Sequence, residues 1–366
     1  MNQPTRRRTC LNHFALILAL AIALHETATA GGTFIYCSAA EDKAIAVYRL
    51  NEKTGELSLV EREPTPGQPG VLVASPDRTR LFASMRSTGQ LAGFHIDSTT
   101  GRLTSVNVVD GGEDPAHLYV DKSGDHLFTA YYVAAKIGIH RIDDNGNLSR
   151  SPVQEVKTEK RAHAVGPDPA ERFFYVPHTK PNRIYQFTWD RAESRLAPHE
   201  TPFIQRPDRS GPRHMVWHPN HPIAYIDNEQ GSSVTAYQIG ETGSLIAGQT
   251  ASTIPANFEG PNSNATLRMH PNGRFLYVAN RGHDSLALIE LDETGKHLKL
   301  VDTYSTEKTP RSFAIEPGGK FLFSAGENSG RLAIFTIDSD AGHLRRIQTY
   351  PIGRKFWWVE AIRTSK

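Results

Sequence analysis

One unit repeats along this chain, and its period leaves few folds open. In each copy a β-rich run leads into a Pro-Asp, Pro-Asn or Pro-Gly turn, followed at once by a second apolar run. Leu72-Val-Ala-Ser-Pro-Asp-Arg-Thr-Arg-Leu-Phe-Ala83, Leu267-Arg-Met-His-Pro-Asn-Gly-Arg-Phe-Leu-Tyr-Val278 and Phe313-Ala-Ile-Glu-Pro-Gly-Gly-Lys-Phe-Leu-Phe-Ser324 are three of them. The apolar residue five places past the turn proline serves as a landmark: Leu81, Ala224, Leu276 and Leu322, with Ile35, Leu127 and Phe173 taking that slot in the degenerate copies. The landmarks recur every 46 to 52 residues or so, a spacing typical of propeller blades at about 40–50 residues each. Seven copies with β-branched and aromatic alternation predict an all-β fold, a seven-bladed β-propeller with four antiparallel strands per blade. A second, Gly-containing turn in each unit, such as Asp97-Ser-Thr-Thr-Gly-Arg-Leu103, joins the outer pair of strands. The first copy starts at Thr33-Phe34-Ile35 without the strand that precedes the turn elsewhere, while a spare strand, Phe356-Trp-Trp-Val-Glu-Ala-Ile362, stands at the far end. That C-terminal strand is expected to complete the first blade and close the ring. Trp357 and Trp358 are expected to pack in the core.

Residues 1–30 read as a signal peptide. Arg6, Arg7 and Arg8 form a positive n-region, Phe14 to Leu24 is an unbroken apolar run, and Ala28-Thr29-Ala30 offers a cleavage pattern. The apolar run falls short of the roughly 20 residues that a membrane-spanning helix needs. The arginine pair also fits a twin-arginine pattern loosely, so the Sec and Tat routes both stay open. The propeller domain is therefore expected over residues 31–366, periplasmic or secreted, with no membrane contact after cleavage. Cys37 is the one cysteine of that domain, which rules out an intrachain disulfide. A net charge of +2, with 41 basic against 39 acidic residues, offers no basic surface for nucleic acid. No pattern speaks to the oligomeric state.

Blade geometry predicts which residues share a face. In a hairpin the start of the first strand and the end of the second lie at the same end. Five residues past each landmark stand Ala40, Arg86, Tyr132, His178, Glu229, Arg281 and Glu327. Ten or eleven residues before it stand His117, His163, Arg213, His214, Arg311 and Ser312. Polar chemistry thus gathers at one mouth of the central channel. Arg213 and Glu229 bracket one hairpin, His163 comes from the preceding blade and Arg281 from the next, so these four form the expected catalytic cluster. Charged groups brought together in this way must pair, stay wet or bind something. His214, Arg311 and His178 are the expected substrate-binding residues around them, whereas His117, Arg86 and Glu327 are expected to be solvated at the mouth. The long intervals place extra residues in His199–Pro212 and Thr250–Asn264, both arriving at this same face.

The stretch Gly211-Pro-Arg-His-Met-Val-Trp-His-Pro-Asn220, followed by Tyr225-Ile-Asp-Asn-Glu-Gln-Gly-Ser-Ser-Val-Thr-Ala-Tyr237, resembles the propeller-type lactonases, a family that includes bacterial 6-phosphogluconolactonase and fungal carboxymuconate cyclase. The resemblance runs through the whole of residues 31–366. It implies lactone chemistry without cofactor or metal, on a small-molecule lactone, and it carries the family's histidine, two arginines and glutamate onto His163, Arg213, Arg281 and Glu229. The family's phosphogluconolactonases are cytoplasmic, whereas an export signal points to unphosphorylated sugar lactones. Opening a lactone needs an attacking water, a base and a stabilised oxyanion. Glu229 is the expected base, His163 the second proton-transfer group, and Arg213 and Arg281 the oxyanion and substrate holders. A carboxylate clamped between arginines loses basicity; tight pairing of Glu229 with Arg213 would move the base role to His163. Ser232, Ser233 and Ser312 lie near the mouth, but none sits in a nucleophile-elbow pattern. Three competing readings stay open: a metal-dependent lactonase using His163, His178 or His214 with Glu229, a lactonising cyclase, and a propeller that only binds a ligand or partner.

Overall fold

Period-two alternation broken by frequent Gly, Pro and Asx turns yields short strands that can be satisfied only by neighbouring strands. The computed structural model describes Met1 and residues 31–365; the expected signal peptide lies outside the described residues. Seven four-stranded antiparallel sheets form the blades, each running outward from a strand at the channel. In six of them the chain order follows the radial order. The first blade is composite: Phe356–Thr364 is innermost and pairs with Gly32–Ala39, which pairs with Ala44–Leu50 and then Leu57–Pro64. Gly32 opposes Thr364 and Ala39 opposes Phe356, so the two ends of the propeller are stitched in one sheet, as the spare C-terminal strand requires.

Adjacent blades are latched by a repeated contact. Tyr36, Tyr175, Tyr225 and Tyr277 lie in second strands and are buried. Their hydroxyls donate to the carbonyls of Gly101, Gly243, Gly295 and Gly342, in the outer turn of the next blade, at 2.6–2.9 Å. Four of the Gly-containing outer turns thus act as acceptors for the preceding blade. At Gly101 φ is +73°, and a Cβ there would collide with the ring of buried Phe34. Gly101→Ala is therefore expected to destabilise the protein by about 2 kcal/mol or more, read as a lower midpoint of denaturant unfolding with lactonase kinetics unchanged in the folded fraction.

The innermost strands carry β-bulges near the mouth. In the fifth blade Pro212 opposes Asn228 and Met215 opposes Ile226, so Arg213 and His214 together face Asp227 alone. In the second blade Gly70 and Val71 face Ser84 in the same manner. A bulge re-aims side chains, and here it turns consecutive residues toward the channel.

One register expectation is corrected. The turn proline of the fourth copy is Pro169, with Asp168 N–H donating to Phe173 as His218 does to Ile223 and His270 to Phe275. The landmark is consequently Phe174, not Phe173. The residue equivalent to Glu229 is Thr179, whose N–H donates to Arg161 as the Glu229 N–H donates to Gly211. His178, one place earlier, points to the other side of the sheet.

Candidate active site

The bulge of the fifth blade places Arg213 at the channel mouth. Its guanidinium is 2% exposed, and a buried cation needs a counter-charge. Glu229, at the end of the adjoining strand, supplies it. Glu229 Oε2 stands 3.2 Å from Arg213 Nε, yet the approach is poorly aligned and that N–H has no hydrogen-bond acceptor. Arg281 of the next blade donates to Glu229 Oε1 at 3.0 Å and to the Asn264 carbonyl at 2.7 Å. Glu229 is thus anchored through one oxygen by Arg281, while its other oxygen faces Arg213 without a formed bond. Its side chain remains 23% exposed, so water reaches it.

Beside this triad a narrow cavity, open to solvent, is lined by Gly70, Ala116, His163, Arg213, His214, Arg311 and Trp357, together with Arg86 and Trp358. Its space comes from Gly70 and Ala116, which occupy in the second and third blades the slots that Arg213 and Arg311 fill elsewhere. Glu229 and Arg281 are not part of the lining; they adjoin it through Arg213. His163 sits inside it, 6% exposed, with Nδ1 unpartnered. Burial first, and then Arg213, Arg86, Arg311 and Arg281, hold its pKa well below the usual histidine value, so the imidazole is neutral at pH 7. His214 is depressed likewise by burial, Arg213 and His163. Arg213 donates to His214 Nδ1 at 3.0 Å, which puts the His214 proton on Nε2, where it has no partner. The two rings lie 4.9 Å apart, edge to face. Burial and Arg281 lower Arg213 to about 9, against Glu229 and Asp227; it remains a cation at neutral pH.

The four expected catalytic residues and two of the expected binding residues, His214 and Arg311, are therefore brought to one region. His178 is not. Its Nδ1 bonds the Val176 carbonyl at 2.9 Å and its ring packs 4.7 Å from Tyr185, away from the channel. Three further expectations change. Arg86 lines the cavity instead of resting in solvent, held by Asp114. Glu327 is engaged by Arg311 at 3.2 Å and by Trp357 Nε1 at 2.9 Å. Trp357 and Trp358 are cavity walls as much as core, and Trp357 lies between the guanidiniums of Arg86 and Arg311 at 5.6 and 5.5 Å. His117 lies below the mouth, 5.6 Å from His214 and 6.3 Å from Trp358. Ser312 is buried and accepts the Val359 N–H.

The two long segments behave differently. The first half of His199–Pro212 extends an outer strand, Arg195–Gln205, and His199 bonds the Thr242 carbonyl. Only its end reaches the mouth. Thr250–Asn264 does serve the site: the Thr253 hydroxyl sits between Asn264 Oδ1 and Asn280 Oδ1 at 2.9 and 2.8 Å, its one proton shared between them, fixing the strand whose Asn264 carbonyl holds Arg281.

Comparison with known proteins agrees with the seven-bladed fold. A family profile described as "Lactonase, 7-bladed beta-propeller" matches residues 28–361. The chain is 32% identical to the 6-phosphogluconolactonase of Yersinia pestis (strain Pestoides F) over 285 residues, 77% of this chain and 84% of that one. It is 31% identical to the enzyme of the same name from Yersinia enterocolitica over the same shares. Among solved structures, the periplasmic gluconolactonase of Pseudomonas aeruginosa matches with a TM-score of 0.84 at 24% identity, covering 92% of this chain and 100% of that one. With the blade count, the composite first blade and the profile in agreement, this chain belongs to the seven-bladed β-propeller lactonase family.

Proposed function

We propose that this protein hydrolyses an uncharged sugar lactone, with Glu229 as general base. The observation that carries the base assignment is the asymmetric hold on Glu229: Oε1 is bonded by Arg281, whereas Oε2 faces Arg213 without a formed hydrogen bond. That leaves the base role with Glu229 instead of passing it to His163. In the reaction, water oxygen bonds to the lactone carbonyl carbon as its proton moves to Glu229 Oε2. The carbonyl electron pair moves onto oxygen, held by the guanidiniums of Arg213 and Arg281. The pair then returns, the carbon–ring-oxygen bond breaks, and the proton held by Glu229 passes to the ring oxygen, giving the hydroxy acid and restoring the carboxylate. His163, neutral because burial and four arginines deny it a charge, hydrogen-bonds that departing oxygen as a neutral imidazole can.

Charge balance supports the uncharged substrate. Arg86 pairs with Asp114, Arg311 with Glu327, and Arg213 and Arg281 share Glu229. With buried Asp227 nearby, these guanidiniums are matched by carboxylates, and none of the four is left over for a phosphate dianion. The Arg-rich, apolar pattern of residues 1–30 favours an exported enzyme, which would meet unphosphorylated lactones. The purified protein should accelerate acid release from gluconolactone, in the presence of a chelator, with kcat/KM above that for 6-phosphogluconolactone by roughly tenfold, about 1.4 kcal/mol of transition-state binding. No acceleration of either lactone would leave a binding propeller, and a preference for the phosphorylated one would reject the charge argument.

A further inference from the structure

The fifth blade carries a second carboxylate that this scheme leaves unused. Asp227 is fully buried. Its Oδ1 accepts the His214 N–H, freed by the bulge, at 2.7 Å, and its Oδ2 has no partner. The backbone's need at this position is met without charge elsewhere. In the second blade the Ser84 hydroxyl accepts the equivalent Val71 N–H at 3.0 Å. The corresponding residues of the remaining blades are Ser38, Ala130, Pro177, Ala279 and Ala325. A neutral side chain suffices for the fold, and burying a carboxylate opposes it. The charge is therefore placed for the site. The groups facing Asp227 are Arg213 and His214 from the innermost strand, Glu229 from its own strand, and Arg281 from the next blade. Of these, Arg213 is the buried cation whose other carboxylate, Glu229, is shared with Arg281.

We propose that Asp227 is a positioning residue for lactone opening: its carboxylate counter-charges Arg213 from beneath, so that Glu229 Oε2 stays free to take the proton of the attacking water. This rests on Glu229 being the base. Burial raises the Asp227 carboxyl to about 7, against the pull of Arg213 and the His214 N–H. Its charge is thus present above neutrality and lost as the pH falls through it. As it is lost, Arg213 is left to Glu229 alone, and turnover falls.

Asp227→Asn keeps an acceptor oxygen for the His214 N–H, and Asp227→Ser copies the second blade. Both are expected to fold, with KM for gluconolactone within about twofold of the parent and kcat about three- to tenfold lower at pH 7.5. The parent is expected to show a rise of kcat through neutrality, and in both variants that rise should disappear. Parental kcat and pH profile in either folded variant would overturn the proposal, and so would loss confined to Asp227→Ala with Ser and Asn unaffected, since that is the signature of a bulge clamp. Undiminished turnover in Glu229→Gln would instead remove the base assignment itself, whatever the Asp227 variants do.

Discussion

Replacing Glu229 by glutamine is expected to lower kcat for lactone opening by about 10²- to 10⁴-fold, the usual contribution of a positioned general base. The amide keeps the length and one acceptor oxygen, so Arg281 retains its partner on that oxygen and the substrate still meets both guanidiniums. KM should therefore change little, and the loss should sit in kcat, as it does when an interaction exists only in the transition state. Folding should survive at lower stability. A buried cation stripped of one partner costs several kcal/mol when nothing else compensates, but Arg213 keeps Asp227 in electrostatic reach and donates to His214. The measurement is a pair of experiments on one preparation: steady-state hydrolysis of gluconolactone corrected for the spontaneous rate, and a thermal melt. A cooperative melt with kcat within a few-fold of the parent would transfer the base role to another group, His163 being next in line.

Much of this site is legible in the amino-acid sequence, and the reason is the repeat. Because each blade presents the start of its first strand and the end of its second at one mouth, counting from a turn proline converts sequence position into place. That count brings Arg213, Glu229, Arg281 and His163 together from three blades. It fails where the repeat is degenerate. The commonest period puts the landmark of the fourth copy at Phe173, whereas its turn proline, Pro169, sets it one residue later. A slip of one residue in a strand changes the face, and it makes His178 a site residue and hides Thr179. The equivalence of Asp168-Pro169 to His218-Pro219 is the signal that restores the register.

The bulges are less accessible. They leave no composition signal, and they decide that adjacent residues such as Arg213 and His214 both face the channel. The same cause hides the role of Asp227: strand alternation says which side of the sheet it lies on, but only the bulge supplies the unpaired N–H that it accepts. Trp357 and Trp358 belong to the closing strand, as the missing strand of the first copy implies. Their part in the cavity wall follows from occupying the Arg213 and His214 slots of the composite blade. Placing Arg86 requires knowing what its neighbours are. It lines the cavity because Gly70 and Ala116 are small.

Ending the chain after Pro351 is expected to abolish cooperative folding. The removed strand contributes Phe356, Trp358, Val359 and Ile362, each no more than 5% exposed. At about 1.5–3 kcal/mol per fully buried large apolar side chain, the loss is on the order of 6–12 kcal/mol, which rivals the ~5–15 kcal/mol that holds a typical domain folded. It also uncovers the edge of Gly32–Ala39, a buried strand whose neighbour is gone, and such an edge invites aggregation. The truncated protein should elute as aggregate or show no cooperative melt. The requirement is for the strand's place in the sheet, not for its place in the chain. Thr364 opposes Gly32, and its hydroxyl accepts the Gly32 N–H while donating to the Ser98 carbonyl, so the two strands can be joined there by a two-residue Asn-Gly turn of the hairpin type. A circular permutant that begins at Ile352, runs through that turn into Gly32 and ends at Pro351 should therefore regain the cooperative melt and the lactonase activity. If the truncated chain melts like the parent, or the permutant fails while its strands are intact, then the composite blade is not what closes this ring.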